Sequence, residues 1–201
     1  MDQLNHLVFQ WINATPDSPK ALVQLATFLA NDLIIIVPLL IVGLWLWGQR
    51  EHISKQRELV SKTAIALLFA MATAKTLSLL FPHARPFVEG FGHTFIEHAP
   101  DSSFPSDRGT AIFTFELSFL FWHRLWSGAV LMVTAIGIAW SRVYLGVHWP
   151  LDMVGGFLVG MLGCLFAQLV WNLFGEPINA LMCKVYRFGF AFPIKKGWVQ
   201  N

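Results

Sequence analysis

The sequence predicts an all-α membrane protein, a polytopic bundle of about six helices, and three observations predict it. Hydrophobic residues make up 55% of the 201 residues and charged residues only 13%, with a mean hydropathy of +0.55. That is more apolar than an ordinary soluble domain. The apolar residues gather in stretches at about 33–48, 61–81, 109–123, 127–145 and 152–174, each near the roughly 20 residues a helix needs to cross a hydrocarbon core. Finally, Lys and Arg collect between these stretches rather than within them.

Taken in order, Leu4 to Ile12 reads as an interfacial amphipathic segment. With no Lys or Arg before Lys20 it lacks the basic start of a signal peptide, and it is expected to be retained. Residues 21–30 are apolar, and Asn31-Asp32 either breaks or merely interrupts one longer helix with the first span. Arg50, Lys55, Arg57 and Lys62 precede the second span, Arg124 sits in the tight turn between the third and fourth, and Lys184, Arg187, Lys195 and Lys196 fill the end of the chain. By the positive-inside rule these nine of the fourteen basic residues are cytoplasmic. Loops 82–108 and 142–151, separated by two spans, then share the opposite face. The organisation expected is one domain over 1–201, with 1–20 interfacial and 175–201 a basic cytoplasmic tail.

Some functions are disfavoured at once. The formal net charge is +2 and topology accounts for the basic residues, so nucleic acid is not an expected partner. Cys164 lies inside a span and Cys183 at its cytoplasmic edge, a placement that suggests neither a disulfide nor a metal site.

The chemistry concentrates in the two loops of the outer face. Ser141-Arg142-Val143-Tyr144-Leu145-Gly146-Val147-His148-Trp149-Pro150-Leu151-Asp152 is a polar island between apolar runs. Arg142 offers a planar fork for phosphate oxygens, His148 a nucleophilic imidazole, and Asp152 a carboxylate that can hold the second ring nitrogen. Pro150 would start a helix just after His148, turning its free N–H groups toward the same pocket. Ser102-Ser103-Phe104-Pro105-Ser106-Asp107-Arg108-Gly109-Thr110 opens the third span. There Pro105 suits a first helical turn, Ser106 adds a hydroxyl, and Asp107 also fits a plain helix cap. Arg85-Pro86-Phe87 follows the second span, where a snorkelling arginine and a helix-stopping proline would suffice if it stood alone.

Together these segments resemble the type-2 phosphatidic acid phosphatase superfamily, whose signature is Lys-x6-Arg-Pro, Pro-Ser-Gly-His and Ser-Arg-x5-His-x3-Asp. Arg85-Pro86, Pro105-Ser106 and Ser141-Arg142…His148…Asp152 match it. More narrowly, Arg85-Pro86-Phe87, Ser103-Phe104-Pro105-Ser106-Asp107 and the run from Ala139 to Asp152 resemble the bacitracin-resistance-type undecaprenyl pyrophosphate phosphatases of Gram-negative inner membranes. The resemblance implies a six-helix bundle with a periplasmic active site, no metal or other cofactor, a polyprenyl pyrophosphate substrate and membrane lipids as surroundings. His148 would attack the terminal phosphorus and form a phosphohistidine, with Asp152 raising its basicity. Arg85, Arg142 and Ser106 would hold the phosphate oxygens.

The sequence departs from the signature at three positions. The first Lys would fall at Ser78, with Lys75 one turn deeper as the substitute phosphate ligand; Gly becomes Asp107; and the proton-donating His becomes Arg108. An arginine has no proton to give near neutral pH. A pyrophosphate leaves as a phosphate monoester, a weaker base than an alkoxide, so hydrolysis is impaired rather than excluded. If leaving-group protonation alone is lost, Arg108→His raises turnover by at least about tenfold with little gain in affinity. The alternatives are a phosphatase for another lipid phosphate, such as phosphatidylglycerol phosphate, and a catalytically silent lipid-phosphate binder. Lys75 and Glu116 lie at similar depths in neighbouring spans, where either they pair or share a polar cavity, or Glu116 is protonated and hydrogen-bonded elsewhere.

Overall fold

The computed structural model describes residues 2–47, 53–196 and 198, and among these residues it is helical without strands. The helices are α1 (Asp2–Ile12), α2 (Lys20–Asn31), α3 (Ile36–Trp47), α4 (Ile53–Leu80), α5 (Asp107–Trp122), α6 (Leu125–Tyr144), α7 (Pro150–Gly189) and α8 (Ala191–Lys195). Asp32 closes α2, and a single 3-10 turn at Leu33–Ile35 carries the chain into α3. Asn31-Asp32 therefore interrupts one apolar stretch without ending it. Counting α2 and α3 as one broken helix and setting aside the one-turn α8, six long elements remain.

Among the described residues four stretches are long and apolar enough to cross a membrane: Lys20–Leu46, Ser54–Leu80, Leu125–Tyr144 and Pro150–Gly189. Their outward faces carry large bare side chains such as Leu68, Leu79 and Val133, the surface lipid would cover. The third stretch differs from expectation. α5 has only 16 residues and is enclosed by its neighbours, with Gly109, Thr110 and everything from Ile112 to Phe119 buried. It is a central post, packed against α4, α6 and α7, and its polar Thr110, Thr114 and Ser118 are affordable because protein rather than lipid surrounds them. At the other extreme α7 continues to Gly189, so the start of the segment expected as a tail is helical. Arg50 lies outside the described residues.

Close approach of α5 and α7 sets the geometry of the outer end. A side chain at Gly156 would meet the Thr110 backbone nitrogen at 2.8 Å, so only glycine lets the two helices touch there. Both begin at the same end, and the Ser106 N–H donates to the Asp152 carbonyl across the contact at 3.2 Å. Two helix N-termini thus open side by side.

The expected Lys75–Glu116 pair does not form. Lys75 is exposed, whereas Glu116 is fully buried with no hydrogen-bond partner for either carboxylate oxygen. The inward stripe of α4 is Ala66, Ala70 and Ala74, and Lys75, one residue further on, is rotated away from it by about 100°.

Candidate active site

Helix ends position Ser106, Asp152 and Arg142, and loop 82–108 brings Arg85 to them. Ser106 is the N-cap of α5, and its Oγ accepts from the Gly109 N–H at 3.2 Å. Pro105 therefore precedes the helix instead of occupying its first turn, a correction to the expectation, because the serine hydroxyl takes the capping role. α7 does begin on its proline, Pro150. Asp152, three residues past the Trp149 N-cap, reaches back to accept the Trp149 N–H at 2.8 Å. Its carboxylate caps the helix and serves the site together. α6 ends at Tyr144, and Gly146, at φ 78°, reverses the chain so that Val147 and His148 turn back over the helix end.

His148 is 2% exposed and Asp152 1%. The His148 Nδ1 lies 3.1 Å from Asp152 Oδ2, which fixes Nδ1 as the protonated nitrogen and leaves the Nε2 lone pair facing the cavity. Ser103 Oγ donates to the other Asp152 oxygen at 3.4 Å. Around Nε2 stand Ser106 Oγ at 3.3 Å and Arg85 Nη1 at 3.0 Å. Burial, then the positive charges of Arg142 and Arg85, hold His148 well below the ordinary imidazole range. The ring is neutral at physiological pH, as a nucleophile must be.

The two arginines differ in what they already hold. Arg85 is engaged on every nitrogen: Nε and Nη2 each lie 2.9 Å from Asp101 Oδ1, and Nη1 donates to the Val147 carbonyl at 2.8 Å. Asp101 is 63% exposed, so this pair contributes less than about 1 kcal/mol to the fold; its effect is to aim Arg85. Arg142, 1% exposed, has no hydrogen-bond partner on Nε, Nη1 or Nη2. A buried guanidinium left open costs several kcal/mol unless something anionic arrives. It is the strongest anion-seeking feature among the described residues.

Arg85, His98, Asp107, Arg108, Arg142 and His148 all line one cavity of about 350 Å³. The structure thus brings together seven of the eight residues expected from sequence: these five, with His98 apart, plus Ser106 and Asp152 at the base. It does not bring Lys75, which faces outward on α4 for the reason given above. Sequence reading missed His98, Asp101 and the role of Ser103. They sit in the irregular loop 82–108, where no periodicity predicts contacts; an acidic residue so near Arg85 in sequence was the one available signal. No three His, Cys, Asp or Glu side chains cluster as a metal site would need among the described residues.

The sequence pattern of the PAP2 superfamily matches residues 58–176, a segment that contains every residue of this cavity. The chain belongs to the PAP2 superfamily. It is 57% identical over 201 residues, the whole of both chains, to YbjG of Escherichia coli (strain K12), provisionally named an undecaprenyl-diphosphatase. It is 28% identical over 98% of its length to all of the undecaprenyl-diphosphatase BcrC of Bacillus subtilis (strain 168). Among solved structures, LpxE of Aquifex aeolicus shares 26% identity at a TM-score of 0.67, covering 82% of this chain and 94% of that one. A PAP2-type phosphatidylglycerolphosphate phosphatase from Bacillus subtilis, 16% identical at a TM-score of 0.63 over 83% and 84%, shares the fold.

Proposed function

We propose that this multi-pass membrane protein is an undecaprenyl-diphosphate phosphatase that removes the terminal phosphate through a phosphohistidine. The observation that carries the reading is the open Arg142 guanidinium beside His148, at a point where two helix N-termini converge. Likeness along the whole chain to relatives named for this activity supports the substrate. In the mechanism Nε2 of His148 attacks the terminal phosphorus while Asp152 keeps the proton on Nδ1 and stabilises the imidazolium that forms. Arg142 takes two equatorial oxygens in its fork. Ser106 and Arg85, which hydrogen-bond Nε2 in the free protein, transfer their donors to the phosphoryl group as it arrives. Water then attacks the phosphohistidine.

A lipid substrate also suits the surroundings. A second cavity of about 350 Å³, lined by Asn5, Phe81, Pro82, His83, Phe104 and Leu151, abuts Asp152 from the side of α1 and α4. Phosphate release by the purified protein tests the reading: farnesyl or undecaprenyl diphosphate should be hydrolysed with a higher kcat/KM than phosphatidylglycerol phosphate. The reverse preference would assign the enzyme another lipid. Tight binding without release would favour a silent binder, the reading that Arg108 at the cavity wall supports.

The membrane proposed is the bacterial inner membrane, with the cavity toward the periplasm. α4 ends and α7 begins at the cavity, so Lys55, Arg57 and Lys62 at the start of α4, and Lys184 and Arg187 near the end of α7, lie at the opposite end, and the positive-inside rule supports reading that end as cytoplasmic. In intact cells an impermeant thiol reagent should label a cysteine placed at 93 and spare one at 55. Preferential labelling at 55 would invert the orientation.

A further inference from the structure

His148 accounts for the attack, but the bridging oxygen that leaves with the lipid phosphate gains a proton from somewhere. The cavity holds few candidates. Guanidinium groups do not release a proton near neutral pH, which removes Arg85, Arg108 and Arg142. Asp101 is engaged as the acceptor for Arg85, and Asp107 sits in the first turn of α5, where the helix end favours the anion. One imidazole besides His148 remains among the lining residues.

That residue is His98. Its side chain is 17% exposed, and its ring stands 6.0 Å from the His148 ring, centre to centre, at 77°. Nδ1 lies 3.1 Å from the Ala99 carbonyl and 3.9 Å from Asp101 Oδ1, an anchor that occupies Nδ1 and leaves Nε2 without a hydrogen bond among the described residues. Standing 6.0 Å apart, the rings must part as the diphosphate enters the cavity of about 350 Å³ that both line. One phosphoryl group must fit between a nucleophile about 3–3.5 Å from phosphorus and a donor about 2.6–3.2 Å from the leaving oxygen.

We propose that His98 is the general acid of this site, protonating the bridging oxygen of the diphosphate from Nε2. The proposal rests on the phosphohistidine reading above. As the His148 N–P bond forms, the bond from phosphorus to the bridging oxygen breaks, and the electron pair left on that oxygen takes the His98 proton. The lipid monophosphate departs and His98 is left neutral. Attacking water then gives its proton to His98, the P–N bond breaks back onto His148, and inorganic phosphate leaves. The net change is addition of one water.

In the free protein the surroundings of His98 hold its pKa below the ordinary imidazole value. Burial lowers its pKa, the Ala99 carbonyl opposes this, Arg85 and Arg142 lower it further, and Asp101 raises it; His148 and Arg108 complete its surroundings in the cavity. A bound diphosphate adds negative charge against the arginines, so His98 gains its proton when substrate is present.

His98→Gln and His98→Ala test this in the full-length protein on farnesyl diphosphate. Expected are a kcat at least about tenfold lower at pH 7, a KM within about threefold, and loss of the alkaline fall in kcat that a proton-donating His98 should give the unaltered protein. Arg108→His should then raise kcat by less than tenfold, because a donor is already present. A native kcat in the His98 variants overturns the assignment, as does a lowered kcat with an unchanged pH profile or a gain of tenfold or more in Arg108→His. His148→Ala separates the two readings. Turnover surviving in it removes the phosphohistidine itself, whereas a silent His148→Ala beside fully active His98 variants removes only the acid.

Discussion

His148→Ala is expected to lower turnover of an isoprenyl diphosphate by at least about 10⁴-fold while leaving the protein folded. The size follows from the role, since removing the nucleophile of a covalent mechanism discards the pathway and leaves only what the surrounding charges do for water. Retention of the fold follows from the local bonds. Asp152 keeps the Trp149 N–H at 2.8 Å and the Ser103 hydroxyl at 3.4 Å, so the start of α7 stays capped. Melting in detergent should therefore shift by only a few degrees. A variant that loses activity and melts much earlier would give His148 a structural role instead.

Arg142→Met should separate catalysis from stability in the opposite direction. A single donor to a developing oxyanion is worth about 10² to 10³ in kcat, and Arg142 brings a fork, so kcat/KM should fall at least about 10³-fold. The same change should raise the melting temperature, because a buried guanidinium without a partner is replaced by an apolar chain of similar length, a type of exchange often stabilising by about 1–4 kcal/mol. Arg142→Lys keeps the charge but loses the planar fork and should recover only part of the rate. Equal loss of activity and stability in Arg142→Met would mean that the arginine holds the bundle together, and the phosphate cradle would have to be sought elsewhere.

The parts of this site that local spacing governs were legible in the sequence. His148 and Asp152 lie four residues apart at the head of a proline-initiated helix, and Arg142 ends the preceding helix, so one short run carries three of the key side chains. Ser106 was legible for a similar reason, as a polar residue just before an apolar helix. Contacts that depend on how helices turn against each other were not. Lys75 lies one residue past Ala74 on the inward stripe of α4, and the turn of about 100° that one step makes on a 3.6-residue helix is enough to direct it outward. The engagement of Arg85 by Asp101, the hydroxyl of Ser103 on Asp152, and the Asn5 side chain accepting the Leu151 N–H at 3.1 Å all join segments distant in sequence. Beyond the loop that Arg85 and Asp101 share, nothing local announces them. α5 shows the same limit at the level of the fold. Its apolar composition reads as a membrane span, yet its burial by α4, α6 and α7 makes it the core around which the others pack.

A covalent phosphate on His148 can be trapped directly. The protein would be mixed with farnesyl diphosphate labelled in the terminal phosphate, quenched within one turnover and digested. Label is expected on the peptide containing His148, stable to alkali and lost in acid as a phosphoramidate should be, and absent from His148→Ala. Label on another residue, or rapid release of phosphate with no labelled protein at any time, would contradict the phosphohistidine.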